Sequence, residues 1–123
     1  MTLRRYSPLK PSRGTRWDPS VREHVATHQP GCIGSLAGMP GDCAGTSELD
    51  HVRGSGGVGM KSKSIATNAA RLCSWHHRLK TNRGATYRPR LLTVIARLHG
   101  ACAECQKEAI REWGSPLGEG VAS

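Results

Sequence analysis

The sequence predicts a small α+β domain whose stability does not rest on a large apolar core, and three observations lead there. The chain has 123 residues, enough for one compact domain and not for two. Leu, Ile and Val number 20 and Phe is absent, so these four types make up only 16% of the chain; soluble domains usually carry more. Five cysteines are interleaved with six histidines, beside one stretch with a two-residue apolar period and several with a helical period. An odd cysteine count and no apolar leader argue against a disulfide framework and for reduced thiols in a cytoplasmic protein. Reduced Cys and His in a core-poor chain point to a structural metal ion, whose binding free energy is also folding free energy.

The elements follow in chain order. Residues 1–16 mix Pro, Ser, Gly and Arg without periodicity, which predicts a flexible basic arm. Asp18-Pro19-Ser20 is a helix start, with Asp18 as cap and Pro19 in the first turn. Val21 and Val25 share a face, and the helix is expected to run to about Thr27, before Pro30-Gly31. Residues 31–47 are Gly-rich and hold Cys32 and Cys43, the composition of a turn-rich knuckle. Glu48 to Val52 alternates as a strand does, and Gly54 to Gly59 is a flexible connector. Ser74 to Asn82 is expected to be a helix capped by Ser74, with Gly84 beyond its end. Leu91, Leu92, Val94, Ile95 and Leu98 make the clearest amphipathic pattern. Residues 101–113 follow as a last helix after a break at Gly100, and 114–123 as a flexible tail.

The net charge of +9 is unevenly laid out. Residues 1–22 carry +5, residues 23–60 carry −3, residues 61–90 carry +8 with no acid, and residues 91–123 carry −1. A 30-residue block of cations without an acid is an electrostatic footprint for a polyanion, since ordinary soluble surfaces mix both signs. An anionic membrane is the poorer fit, because no basic segment is paired with a wide apolar face. No apolar run approaches the roughly 20 residues of a membrane helix. DNA is the expected partner, with Arg53, Lys61, Lys63, Arg71, Arg78, Lys80 and Arg83 as candidate phosphate contacts.

Three segments carry chemistry: Cys32 with Cys43; Leu49-Asp50-His51-Val52; and Asn68 followed by Leu72-Cys73-Ser74-Trp75-His76-His77-Arg78-Leu79-Lys80-Thr81. Together they resemble the HNH endonuclease family, in particular its small phage-type members. That family carries an Asp-His pair on a strand, a downstream Asn and a Leu-Cys-x-x-Cys-His segment opening a helix, often followed by Lys-Thr. The resemblance spans roughly residues 17–82. It implies a ββα-metal (His-Me) finger with a structural zinc knuckle and flanking helices, and an enzyme that hydrolyses DNA phosphodiester bonds by nicking or double-strand cleavage. It extends to phage enzymes that act with the DNA-packaging terminase, so terminase subunits are partners by resemblance alone.

The residue types suit that chemistry on physical grounds. Phosphodiester hydrolysis needs a base to activate water, and neutral imidazole does so near pH 7; His51 is the candidate. Negative charge gathers on the phosphate and the departing oxygen, and a divalent cation (Mg, Mn, Ni or Zn) neutralises it. Asp50 and His77 are the expected ligands of that cation. Adjacent strand residues point to opposite faces, so Asp50 can face the ion while His51 faces the water. By resemblance, Asn68 hydrogen-bonds the backbone near the base and orients it.

The expected zinc ligands are Cys32, Cys43, Cys73 and His76. Here the sequence departs from the family, whose commoner second pair is Cys-x-x-Cys and whose first pair is closer; a Cys3His site is nonetheless an ordinary structural zinc site. Long-looped phage members ending Pro-Gly-x-Cys are similar to Met39-Pro40-Gly41-Asp42-Cys43. Neighbouring helix positions point about 100° apart, which lets His76 serve the zinc and His77 the catalytic ion. Cys102 and Cys105 are expected to be inward-facing small residues, the alternative being a part in a metal site. His24, His28 and His99 are expected on the surface or in packing. The domain plan is an arm (1–16), a nuclease domain with its zinc site (17–84), a C-terminal helical extension (85–113) and a tail (114–123). The rival reading is a non-catalytic zinc-stabilised module that binds nucleic acid. Such a module has no need of Asp50, His51, Asn68 and His77. A weaker one is a toxin or homing-type enzyme with the same chemistry and another target.

Overall fold

Residues 17–54 and 62–118 are described by the computed structural model. The basic arm, the connector residues 55–61 with Lys61, and residues 119–123 lie outside the described residues. The elements are α1 (Pro19–His28), a 3-10 turn (Ser35–Ala37), β1 (Ser47–His51), a second 3-10 turn (Ala66–Asn68), β2 (Ala69–Cys73), α2 (Ser74–Asn82), α3 (Gly84–His99) and α4 (Ala103–Trp113). The described residues thus form a small α+β arrangement of one two-stranded antiparallel sheet and four helices.

Local chemistry accounts for most boundaries. Asp18 caps α1, its carboxylate accepting from the Ser20 N–H at 3.1 Å, and Pro19 occupies the first turn. Cys73, not Ser74, caps α2: its sulfur accepts from the His76 N–H at 3.4 Å. Gly84 does not end a helix but begins α3, which starts well before the apolar pattern at Leu91. Pro89 lies inside α3 and withholds one N–H from the ladder; burial of Tyr87 and Leu91 on either side of it holds the segment helical. Gly114 closes α4 in the left-handed region at φ +89°, a conformation glycine adopts without a side-chain clash.

β1 and β2 pair in the register Glu48↔Leu72, Leu49↔Arg71, Asp50↔Ala70 and His51↔Ala69. Opposed residues share a face, so Glu48, Asp50, Ala70 and Leu72 lie on one side and Leu49, His51 and Ala69 on the other. The first side feeds the main core, where Ala70, Leu72 and Val52 meet Ile33, Met39 and the α3 residues Tyr87, Leu91, Val94 and Ile95. The second packs on α1, joining Ala69 and Leu49 to Trp17, Val21 and Val25. Strand β2 is therefore apolar on both faces. Helix α3, expected in an extension beyond residue 84, shares the core of the strands.

The outer edge of β2 meets a side chain instead of a strand. Gln29, fully buried, donates its amide to the Ala69 carbonyl at 2.8 Å and accepts from the Arg71 N–H at 2.7 Å. Ile33 N–H adds a bond to the Arg71 carbonyl at 2.8 Å. Among the described residues, no helix is long and apolar enough to cross a membrane.

Candidate active site and metal centre

The knuckle brings Cys32, Cys43, Cys73 and His76 together, their ligand atoms all within 4.8 Å of one another. His76 Nδ1 lies 3.4 Å from the sulfur of Cys32, 3.8 Å from that of Cys43 and 3.2 Å from that of Cys73. A tetrahedral zinc with Zn–S of about 2.3 Å and Zn–N of about 2.0–2.1 Å spaces its ligand atoms about 3.3–3.8 Å apart, so the cluster fits. The tautomer fits as well. His76 Nε2 faces the carbonyls of Pro40 (3.2 Å) and Gly41 (3.1 Å) and must donate to them, which leaves the Nδ1 lone pair aimed at the sulfurs. Gly34 makes room for that ring, since a Cβ there would stand 2.6 Å from His76 Cγ. Burial acts to raise the Cys73 thiol, but the His76 and Ala44 N–H groups and the neighbouring thiols bring it down to about 6. Cys43 is pushed up to about 11, first by its contact with Cys32 and then by burial.

β1 and α2 set Asp50 and His77 against each other, with Asp50 Oδ1 3.1 Å from His77 Nε2. Two partners not foreseen from the sequence complete the group. Glu48, on the same face as Asp50, puts Oε1 2.9 Å from His77 Nδ1. Lys80, one turn beyond His77, puts Nζ 2.8 Å from Asp50 Oδ2 and donates to the His51 carbonyl at 2.7 Å. The Lys80 ammonium forms an ion pair with Oδ2, and among the described residues this buried oxygen meets no donor in hydrogen-bond geometry. Two carboxylates on either side of one imidazole are a donor set suited to a hard divalent cation.

His51 projects from the opposite face of β1. Its ring stacks on Trp17 at 4.4 Å between centroids, and Nε2 lies 2.8 Å from the Ser64 hydroxyl. Burial lowers its pKa from the ordinary histidine value, Asp50 opposing this and Lys80 reinforcing it. The imidazole is thereby held in the neutral form a base requires. Asn68, fully buried, clamps the chain that follows: it accepts from Arg53 N–H at 2.7 Å and donates to the carbonyls of Arg53 (3.2 Å) and Lys63 (2.8 Å). One residue thus ties both ends of the connector. Asp50, His51 and His77 border an open cleft of about 870 Å³, with Trp17, Arg22 and Arg71 also on its wall.

The candidate phosphate contacts are not equivalent. Lys80 is 9% exposed and engaged by Asp50 and His51, so it is corrected to a residue of the site itself. Lys63 pairs with Glu112 at 2.9 Å, and Arg53 lies over the Trp113 ring at 4.4 Å. Arg71 donates to the carbonyls of Gln29 and Pro30 while bordering the cleft. Arg78 and Arg83 are exposed.

A second cluster brings the remaining histidines and cysteines together. His24, His28, Cys102 and Cys105 also place their ligand atoms within 4.8 Å of one another, and His99 packs beside them. The signal was present as His-x3-His on α1 and Cys-x2-Cys at the start of α4, but 73 residues of intervening chain separate the two pairs. Two Cys/His clusters able to bind metal ions therefore lie within the fold. Comparison with protein-family models, with characterised proteins and with solved structures yields no match, so any functional reading of this chain rests on its own residues and their geometry.

Proposed function

We propose that this protein is an HNH-type endonuclease that hydrolyses DNA phosphodiester bonds with the help of a divalent cation, on a ββα-metal finger formed by β1, β2 and α2. The observation that carries the reading is the meeting of Asp50 and His77 at 3.1 Å on one face of β1 while His51 opens into the same cleft from the other. The cation, Mg, Mn, Ni or Zn, would be held by Asp50 and His77 and supplies neutralisation of charge on the phosphate and the leaving oxygen. The structural zinc would be held by Cys32, Cys43, Cys73 and His76.

His51 accepts a proton from water through its imidazole and so forms the nucleophile. Trp17 packs on one face of that ring and restricts its rotation. Asn68 is a positioning residue: by holding Arg53 and Lys63 it fixes the backbone just beyond His51. Glu48 orients His77 through Nδ1, and Lys80 holds both the Asp50 carboxylate and the His51 carbonyl. Arg22 and Arg71 stand on the cleft wall with its acids Glu23, Glu48 and Asp50 and are cations within reach of a DNA backbone there, and the other basic residues add contacts that are blind to sequence and weaken with salt.

The deciding experiment is digestion of supercoiled plasmid by the purified full chain, with and without Mg²⁺, Mn²⁺ or Ni²⁺, beside His51→Ala and His77→Ala. Cleavage that needs an added ion and fails in both variants supports the reading. A protein that binds the plasmid and leaves it intact with every ion is instead a nucleic-acid-binding zinc module.

A further inference from the structure

We propose that His24, His28, Cys102 and Cys105 form a second structural zinc site that staples α1 to the start of α4. It stands apart from the nuclease reading, since none of its four residues borders the cleft or touches Asp50, His51 or His77.

Donor geometry is the first support. His24 Nε2 lies 3.2 Å from the Cys105 sulfur and 3.6 Å from the Cys102 sulfur, and the four ligand atoms fall within 4.8 Å of one another. These separations bracket the tetrahedral spacing of the first centre. His24 and His28, four residues apart on one helix, share a face, and both Cys-x2-Cys and His-x3-His are spacings that structural zinc sites use. Two thiolates and two imidazoles would neutralise a divalent ion, and thiolates favour zinc over the hard cations.

The second support is that α4 opens as α2 does. In α2 the Cys73 sulfur caps the helix by accepting from the N–H three residues on, at 3.4 Å, and that third residue is the ligand His76. In α4 the Cys102 sulfur accepts from the Cys105 N–H, also at 3.4 Å, and the third residue again turns into the cluster. Both centres thus use one device, a cysteine cap followed by a first-turn ligand.

The third support is the buried chain of hydrogen bonds behind the cluster. Arg71 N–H donates to Gln29 Oε1, which turns the Gln29 amide nitrogen toward the Ala69 carbonyl and His99 Nε2, the latter at 2.9 Å. His99 Nε2 must therefore accept, and its ring proton sits on Nδ1, 3.3 Å from the Cys105 sulfur. A fully buried imidazole is thus set to donate to that sulfur, as the outer partners of metal-bound thiolates do. The relay makes His99 a supporting residue and His28 the fourth ligand. It also runs from the staple to the edge of β2, so the ion would brace the strand that pairs with His51.

Zinc content of the full chain purified from zinc-supplemented medium tests this without reference to cleavage. Two zinc ions per folded chain are expected, with Cys102→Ser/Cys105→Ser retaining one. Should the double variant fail to fold, alkylation of the native wild-type chain decides by peptide mapping: Cys102 is expected to label only once a chelator has released zinc. One zinc per wild-type chain with Cys102 labelled at once overturns the proposal. So does a Cys102–Cys105 disulfide in the map, or a folded double variant that keeps two ions.

Discussion

The two Cys/His clusters are built from similar parts and do different mechanical work. The first takes two of its ligands from the knuckle and two from the β2–α2 junction, and only Gly-rich turns join Cys32 to Cys43. It organises a region with almost no regular structure, directly behind the face of β1 that carries Asp50. The second draws on two finished helices, α1 and α4, whose ligands stand as far as 81 residues apart. Where the surrounding chain has no fold of its own, a metal ion would create it. Where helices already exist, it would only hold them in place.

That contrast sets the scale of the tests. Cys73→Ser should have the largest effect, because structural zinc in small modules is worth about 10–16 kcal/mol of folding free energy. The expected outcome is loss of cooperative melting and of near-UV circular dichroism. A variant that still melts sharply near the wild-type temperature would show the knuckle to be self-supporting.

His51→Ala should leave both clusters and the DNA affinity as they were. Single-turnover cleavage should fall by about 10²–10⁴-fold, the usual worth of a general base. Cleavage within a few-fold of wild type would remove His51 from the chemistry.

Cys102→Ser with Cys105→Ser should be milder. α1 and α4 form as helices with caps of their own, and the apolar core between the sheet and α3 contains no residue of this cluster. Hydrogen exchange should show protection lost in α4 and retained in α3; equal loss in the two helices would erase that distinction.

The smallest effect on cleavage is expected from Trp17→Leu. It removes a ring stack worth about 0.5–1.5 kcal/mol and loosens the packing of α1 on Leu49 and Ala69, so it should slow cleavage modestly and lower the melting temperature without altering zinc content.

The sequence was most legible where chemistry is local. The capping of α1 by Asp18 and the strand at Glu48–His51 follow from short-range patterns, and the convergence of Cys32, Cys43, Cys73 and His76 from the family resemblance. The meeting of Asp50 with His77 was expected, whereas Glu48 and Lys80 were missed. Their part depends on the pairing register, which sets Glu48 on the Asp50 face, and on the pitch of α2, which carries Lys80 over the strand. β2 escaped notice because Ala69-Ala70-Arg71-Leu72-Cys73 is buried on both faces and does not alternate. The beginning of α3 was hidden by Pro89. For the second cluster the sequence offers only inward-facing small residues at Cys102 and Cys105 and surface or packing histidines, because no local signal says that α1 and α4 are neighbours.

Gln29 bears on how this protein meets copies of itself. A two-stranded sheet has two open edges, and each is a template on which another chain can add a strand. The Gln29 amide behaves at β2 as a strand one residue long, offering a donor to Ala69 and an acceptor to Arg71, as a peptide unit would. The edge is thereby closed to intermolecular pairing. Glutamate, though nearly the same shape, cannot take over: it has no donor for the Ala69 carbonyl and would bury a charge. Resistance to edge-to-edge aggregation on this side of the molecule accordingly rests on the amide of one side chain and the neighbouring Ile33 N–H, which takes the Arg71 carbonyl.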